Sequence, residues 1–150
     1  MNDLATSPAF GVYCITAVAL CLNLLGLWLY SGVVRGGTKT TLNPEDAVTV
    51  SRGADVVGQD PPGVARVLRA HTNAQASIPP FLLLALLYVI LGAGAKMAWI
   101  LFGGFAFSRY AHSVVYLAGK QPWRTIFFVL GCLCTLGVVI EVVRRALPLL

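Results

Sequence analysis

Arg66-Val67-Leu68-Arg69-Ala70-His71-Thr72-Asn73 is the stretch on which the fold turns. Arg66, Arg69 and Asn73 stand at i, i+3 and i+7, so they share one face of a helix. The run continues into Phe81-Leu82-Leu83-Leu84-Ala85-Leu86-Leu87-Tyr88-Val89-Ile90, which is almost wholly apolar. A helix that is polar on one face and then apolar all round is a membrane span with a polar stripe. Ionisable groups in that setting cost on the order of 2.5–3.5 kcal/mol each, so they face protein, water or a ligand. A second stripe, Arg109, His112 and Tyr116, repeats the same spacing later in the chain.

Composition agrees with this setting. The chain has 150 residues, 57% hydrophobic and 11% charged. Soluble domains carry about 25% charged residues. An all-α integral membrane protein follows, a single unit forming a four-transmembrane-helix bundle. The net charge of +5 does not indicate nucleic acid, because the basic residues form no single exposed run. Cys14, Cys21, Cys132 and Cys134 lie in apolar helical runs with no His or carboxylate at ligand spacing, so they read as small buried hydrophobes rather than metal ligands. The N-terminal segment has no basic n-region and its apolar run is long, so it reads as the first span rather than a signal peptide.

Outward from the first stripe, four spans are expected at about 9–33, 63–92, 97–118 and 122–147. A polar connection occupies about 34–62. Pro8 and the pair Gly36-Gly37 are natural limits for the first span. Within the connection, Asn43-Pro44-Glu45-Asp46 predicts a short surface helix with Asn43 as N-cap. Pro79-Pro80 should kink or loosen the second span. Gly103, Gly104 and Ser108 allow close helix contact in the third. Four spans place both termini on one side and the loops after spans one and three on the other. That loop side holds Arg35, Lys39, Arg52, Arg66, Arg69, Lys120 and Arg124, which by the positive-inside rule makes it cytoplasmic.

Depth brings the two stripes together. Asn73 and Arg109 each lie about ten residues, roughly 15 Å, inside their spans from the cytoplasmic end. Arg69 then falls level with His112, and Arg66 with Tyr116. The ladder predicts a cavity open to the cytoplasm and lined by cations and hydrogen-bond donors, suited to an anionic polar ligand beside a lipid-facing wall. The competing reading is structural: polar stripes also join helices or subunits through backbone carbonyls or a carboxylate such as Glu141. If the ligand carries a thiol, a guanidinium at the cavity mouth favours its thiolate, the nucleophilic form. Arg124, beside Thr125, is placed for that role. No Ser-His-Asp set, phosphate loop, HExxH or carboxylate pair is present.

At Asn43-Pro44-Glu45-Asp46-Ala47, at Arg66 through Asn73, and at Arg109-Tyr-Ala-His112-Ser-Val-Val-Tyr116-Leu117, the chain resembles the MAPEG family of glutathione-dependent membrane proteins, and within it the microsomal prostaglandin E synthase branch. The resemblance implies a homotrimer with glutathione between neighbouring subunits. By position, Arg35 would approach the ligand from the adjacent subunit. Asn73, His112 and Tyr116 would hold its polar groups, and Arg69 and Arg109 would support the cavity floor. Arg124 and Thr125 would lie at the thiol, after a one-residue gap following Tyr116. One departure stands out: the family places a Glu three residues after the Asn to receive the ligand's amino group, and here that residue is Ala76.

Two functions are therefore expected to compete. One is a glutathione transferase or peroxidase-like enzyme acting on a lipophilic electrophile or hydroperoxide from the bilayer, in a bacterial inner membrane or the endoplasmic reticulum. The other is a non-catalytic protein that keeps the scaffold to bind lipid or a partner complex.

Overall fold

The computed structural model describes residues 4–150, and the described chain is helical apart from a longer connection with two short strands after its first long helix and two short turns later on. Helix α1 spans Pro8–Thr38, with Pro8 at its first position and Ser7 as N-cap. Its buried residues, Ala9, Val12, Thr16, Leu20, Asn23, Leu27 and Ser31, recur every three or four positions and mark one face. Ile15, Val18, Leu22, Leu25 and Leu29 stay exposed on the rest of its surface. A soluble protein would not present so large an apolar surface to water, whereas a bilayer accepts it.

The first span is longer than its glycines suggest. Helix α1 runs through Gly36 and Gly37 and ends at Lys39, in the left-handed region at φ 50°, where the Lys39 N–H donates to Gly36 O. The predicted stop failed because Gly lowers helix propensity without forbidding the helix; only the left-handed turn ends it. The connection then forms a two-residue strand, β1 (Thr40–Thr41), helix α2 (Pro44–Val48) and a second strand, β2 (Asp55–Val56), parallel to β1 with Thr40 opposite Asp55. Asn43 precedes α2, but its side chain makes no cap bond; its Nδ2 donates instead to Asp46 Oδ2 at 3.1 Å.

Helix α3 (Pro62–Ile90) packs against α1 on one side and the later helices on the other. It continues through Pro79 and Pro80. Next comes α4 (Ala95–Ala98), a π-helical turn at Trp99–Gly103, and α5 (Gly104–Leu117), helical without a break. Helix α6 (Trp123–Ala146) lies against α5 and α3. It buries only Gly131, Cys134 and Val138. Among the described residues, three helical stretches are long and apolar enough to cross a membrane: Pro8–Thr38, Pro62–Ile90 and Trp123–Leu149.

Aromatic rings fill the centre. Phe81 of α3 stacks on Phe105 of α5 with centroids 3.7 Å apart, and Phe102 meets both Phe81 and Tyr88 edge-on. Small residues let α5 and α6 approach closely. A Cβ on Gly104 would stand 3.0 Å from Cys134 Sγ, and one on Gly137 would stand 2.7 Å from Leu101 Cδ2. At the opposite end from the β1–β2 loop, Arg145 closes α3: its Nη1 donates to the carbonyls of Leu91 (3.3 Å) and Gly92 (2.6 Å), over the ring of Tyr88. Glu141 pairs with Arg144 and Arg145 there, and so is no partner for the polar stripes.

One expectation is corrected. Of the four cysteines only Cys134 is buried; Cys14, Cys21 and Cys132 are exposed on helix faces. An apolar run in a soluble protein buries its cysteines, but a lipid-facing helix turns its apolar residues outward.

Candidate functional site

Arg109 is the pivot of the polar interior. It stands in the middle of α5, 2% exposed, its guanidinium between the rings of Phe105 (5.5 Å) and Phe128 (5.9 Å). Its Nη1 donates to Ser77 Oγ at 3.1 Å and lies 3.5 Å from Asn73 Oδ1, while Nη2 donates to the carbonyl of Phe127 at 3.3 Å. Its Nε has no partner. Room for this cation is made by Gly131 of α6, where a Cβ would fall 2.6 Å from Arg109 Nη2 and 2.8 Å from Ser108 Oγ. Among the described residues no carboxylate pairs with Arg109; the ion pairs join Arg35 to Asp60, and Arg144 and Arg145 to Glu141. A buried cation held only by neutral acceptors leaves its charge available to an anion.

Two cavities meet beside it. The larger, about 480 Å³, lies between α3 and α6 and is lined by Ala76, Ser77, Pro80, Phe105, Arg109 and Leu136 among others. The smaller, about 250 Å³, is lined by Asn73, His112, Tyr116, Arg124, Thr125 and Phe128. Asn73 and Phe128 line both, so an apolar chamber adjoins a polar mouth.

The polar mouth is assembled from three helices. Asn73 comes from α3, His112 and Tyr116 from adjacent turns of α5, and Arg124 and Thr125 from the first turn of α6. The ring of His112 lies 5.5 Å from that of Tyr116 and 6.3 Å from that of Phe128. The Arg124 guanidinium lies over the Tyr116 ring at 4.9 Å. Gln121 holds it from below. In the amide orientation that satisfies both ends, the Gln121 oxygen accepts from Arg124 Nη2 (2.6 Å) and Nε (3.1 Å), and its nitrogen donates to Thr125 Oγ1 (3.2 Å). This wall offers one guanidinium, two hydroxyls, an imidazole and an amide, and no carboxylate.

The structure therefore brings together Asn73, Arg109, His112, Tyr116, Arg124 and Thr125 within one chain. Asn73 meets Arg109 as their depths predict. Three other residues lie elsewhere. Arg66 is exposed and borders a separate pocket of about 280 Å³ with Tyr30, Val34 and Leu117, near Gly119. Arg69 is exposed, makes no polar contact among the described residues, and does not line the cavity that holds His112. Arg69 and Asn73, four residues apart, differ by about 40° around the helix and about 6 Å along it, which takes Arg69 off the wall that holds Asn73. Arg35 donates to Asp60 Oδ1 at 2.7 Å and borders a third pocket of about 400 Å³ with Lys39, Ser51 and Arg52.

Ser77, Gln121, Phe128 and Gly131 were not singled out from the sequence. Each had a signal. Ser77 follows Asn73 by one helical turn, Gln121 precedes Arg124 by three residues, and Phe128 and Gly131 follow Arg124 at i+4 and i+7.

The fold and this site define a helical membrane protein with a donor-lined cavity between its spans. The MAPEG family profile matches residues 13–144, and the chain belongs to that family. Curated relatives include human prostaglandin E synthase, 32% identical over 142 residues, covering 94% of this chain and 92% of the relative. Rat prostaglandin E synthase is 39% identical over 111 residues, 71% of each chain. Pig microsomal glutathione S-transferase 1 is 28% identical over 152 residues, covering 99% of this chain and 98% of the relative.

Proposed function

We propose that this protein is a membrane-embedded, glutathione-dependent transferase or peroxidase-like enzyme acting on a lipophilic electrophile or hydroperoxide. The observation that carries it is the polar mouth: Asn73, His112, Tyr116, Arg124 and Thr125 face one cavity with no carboxylate among them. The names of its relatives, a glutathione S-transferase and prostaglandin E synthases, favour the same class.

The residues suit glutathione at its anionic end. Its two carboxylates match the donors Asn73 and Tyr116 and the cation Arg109, whose Nε lacks a partner. Bound glutathione would supply a thiol nucleophile. Arg124 holds the thiolate form, because an adjacent opposite charge typically lowers a pKa by about 1–3 units. Thr125 adds a hydroxyl donor, Gln121 fixes the guanidinium, and Tyr116 backs it from its ring face. The neighbouring apolar chamber receives the acceptor and keeps water from it.

The assembly we propose is a homotrimer of four-span subunits. The helical path from Ala95 to Leu117 forms the remaining crossing, and the loops after spans one and three are cytoplasmic. Arg35, Arg66 and Arg69, which face outward within one chain, then reach a neighbour's cavity across the subunit boundary.

Ala76 favours a second reading, a non-catalytic scaffold that binds lipid or a partner complex, because no carboxylate stands there for a ligand ammonium. Arg124→Ala separates the two. Under the enzyme reading, glutathione still binds by calorimetry, while the ultraviolet thiolate absorbance of the complex and turnover with a model electrophile are lost. Unchanged thiolate absorbance sinks the assigned role of Arg124. Absence of glutathione binding by the natural protein, with lipid or another protein co-purifying, establishes the scaffold reading.

A further inference from the structure

Pro79 and Pro80 stand inside α3, and neither has an N–H. In an unbroken α-helix those two N–H groups would bond the carbonyls of Gln75 and Ala76, four residues earlier. Both carbonyls are thus released from the helix ladder. Ser77, a neighbouring side chain able to donate, is committed elsewhere: its hydroxyl donates to the carbonyls of Asn73 (3.0 Å) and Ala74 (3.2 Å). Among the described residues, no side chain donates to either released carbonyl.

The position of these carbonyls gives them meaning. Ala76 and Pro80 are both exposed, and both line the 480 Å³ cavity beside Asn73 and Ser77. At membrane depth a released backbone carbonyl needs a donor from a neighbour, water or a ligand. The titratable side chain lining this cavity together with Ala76 and Pro80, apart from the Cys132 thiol, is the Arg109 cation, already occupied by Ser77 and Phe127 O. The wall therefore offers a cation on its α5 side and an acceptor without charge on its α3 side.

We propose that the carbonyl of Ala76, released by Pro80, is the acceptor for a protonated amine of the bound ligand. The assignment rests on the glutathione reading above, and it accounts for a missing carboxylate at position 76: backbone oxygen takes the ammonium where no side chain can. The α-ammonium of the ligand's γ-glutamyl residue would donate to this oxygen, while its neighbouring carboxylate lies toward Asn73 and Arg109. Gln75 lines neither cavity, so its released carbonyl is left to solvent or a neighbouring chain.

The test compares two ligands on two proteins. Glutathione and its deaminated analogue, which lacks only the ammonium, are titrated calorimetrically into the detergent-purified natural protein and into Pro80→Ala. A charge-assisted hydrogen bond corresponds to roughly a tenfold to a hundredfold preference for glutathione over the analogue in the natural protein. Pro80→Ala supplies an N–H that occupies the Ala76 carbonyl, so the preference should fall to within about threefold. Pro79→Ala, which restores the bond to Gln75 instead, controls for helix straightening and should keep the preference. Equal binding of both ligands by the natural protein overturns the proposal while leaving the glutathione reading standing. A preference that survives Pro80→Ala, or is lost equally in Pro79→Ala, also overturns it. No binding of either ligand defeats the glutathione reading itself, and this assignment with it.

Discussion

Gly131→Ala is the substitution that most directly tests how the buried cation is held. The new Cβ would stand 2.6 Å from Arg109 Nη2, 3.1 Å from its Cζ and 2.8 Å from Ser108 Oγ. A flexible arginine at a surface would swing aside at little cost. Arg109 cannot do so freely, because Ser77, Asn73 and the Phe127 carbonyl hold it and two rings bracket it. The nearest bond, Nη2 to Phe127 O, is the first to go. A hydrogen bond to a charged group contributes about 1.5–3 kcal/mol. Against this, Ala in place of a helical Gly gains about 0.8–1 kcal/mol. The net expectation is destabilisation by about 0.5–2 kcal/mol. Gly26→Ala is the matched control: it lies in α1 with nothing within 4 Å of the new Cβ, so only the propensity gain remains. Thermal unfolding of both variants in the same detergent should place Gly131→Ala below the natural protein and Gly26→Ala at or above it. Gly131→Ala unfolding no lower than Gly26→Ala would refute the idea that Arg109 is pinned against α6.

Other substitutions probe separate parts of the bundle. Arg145→Met removes the cation that bonds the Leu91 and Gly92 carbonyls, and should cost about 1–3 kcal/mol in the same unfolding assay, with proteolysis rising first in the α3–α4 connection. Asn23→Ala empties the buried bond to Ser113 Oγ (3.2 Å) between α1 and α5; a loss of about 1–2 kcal/mol is expected, reduced when Ser113→Ala accompanies it in a double-mutant cycle. Asp60→Asn breaks the Arg35 pair, whose side chains are 37% and 15% exposed, so unfolding should move by less than about 1 kcal/mol. A shift in glutathione affinity in that variant would instead indicate that freed Arg35 reaches a ligand.

The helices were legible because lipid and core impose simple demands. Apolar length marks a span, and a repeating three-and-four spacing marks its buried face, as in Ala9 through Ser31. The meeting of Asn73 with Arg109 was legible for the same reason: two antiparallel spans with polar residues at equal depth must bring them side by side. What could not be read was how far the cavity extends along α3. Asn73 lines it, whereas Arg66, only about 20° away around the helix but about 10 Å nearer its start, borders a pocket with Tyr30 and Val34 of α1 instead. Nor does the pattern of α6 reveal Gly131 as a seat for a guanidinium, since a glycine in an apolar helix carries no sign of what it accommodates. Gln121 was hidden because side-chain support from a loop depends on how the chain enters α6, which composition leaves undetermined.

The π-helical turn at Trp99–Gly103 has a geometric consequence for everything beyond it. A π turn carries one residue more than an α turn. Each residue in an α-helix advances the side chains by about 100°. The wider turn absorbs its extra residue locally, so shortening it by one residue would restore an α turn and leave the bearing of Arg109, His112 and Tyr116 nearly unchanged. A one-residue deletion in the regular part of α5 before Arg109 would instead swing all three by about 100°. The turn is thus a place on this path where chain length can vary by one residue without turning the site away from its cavity.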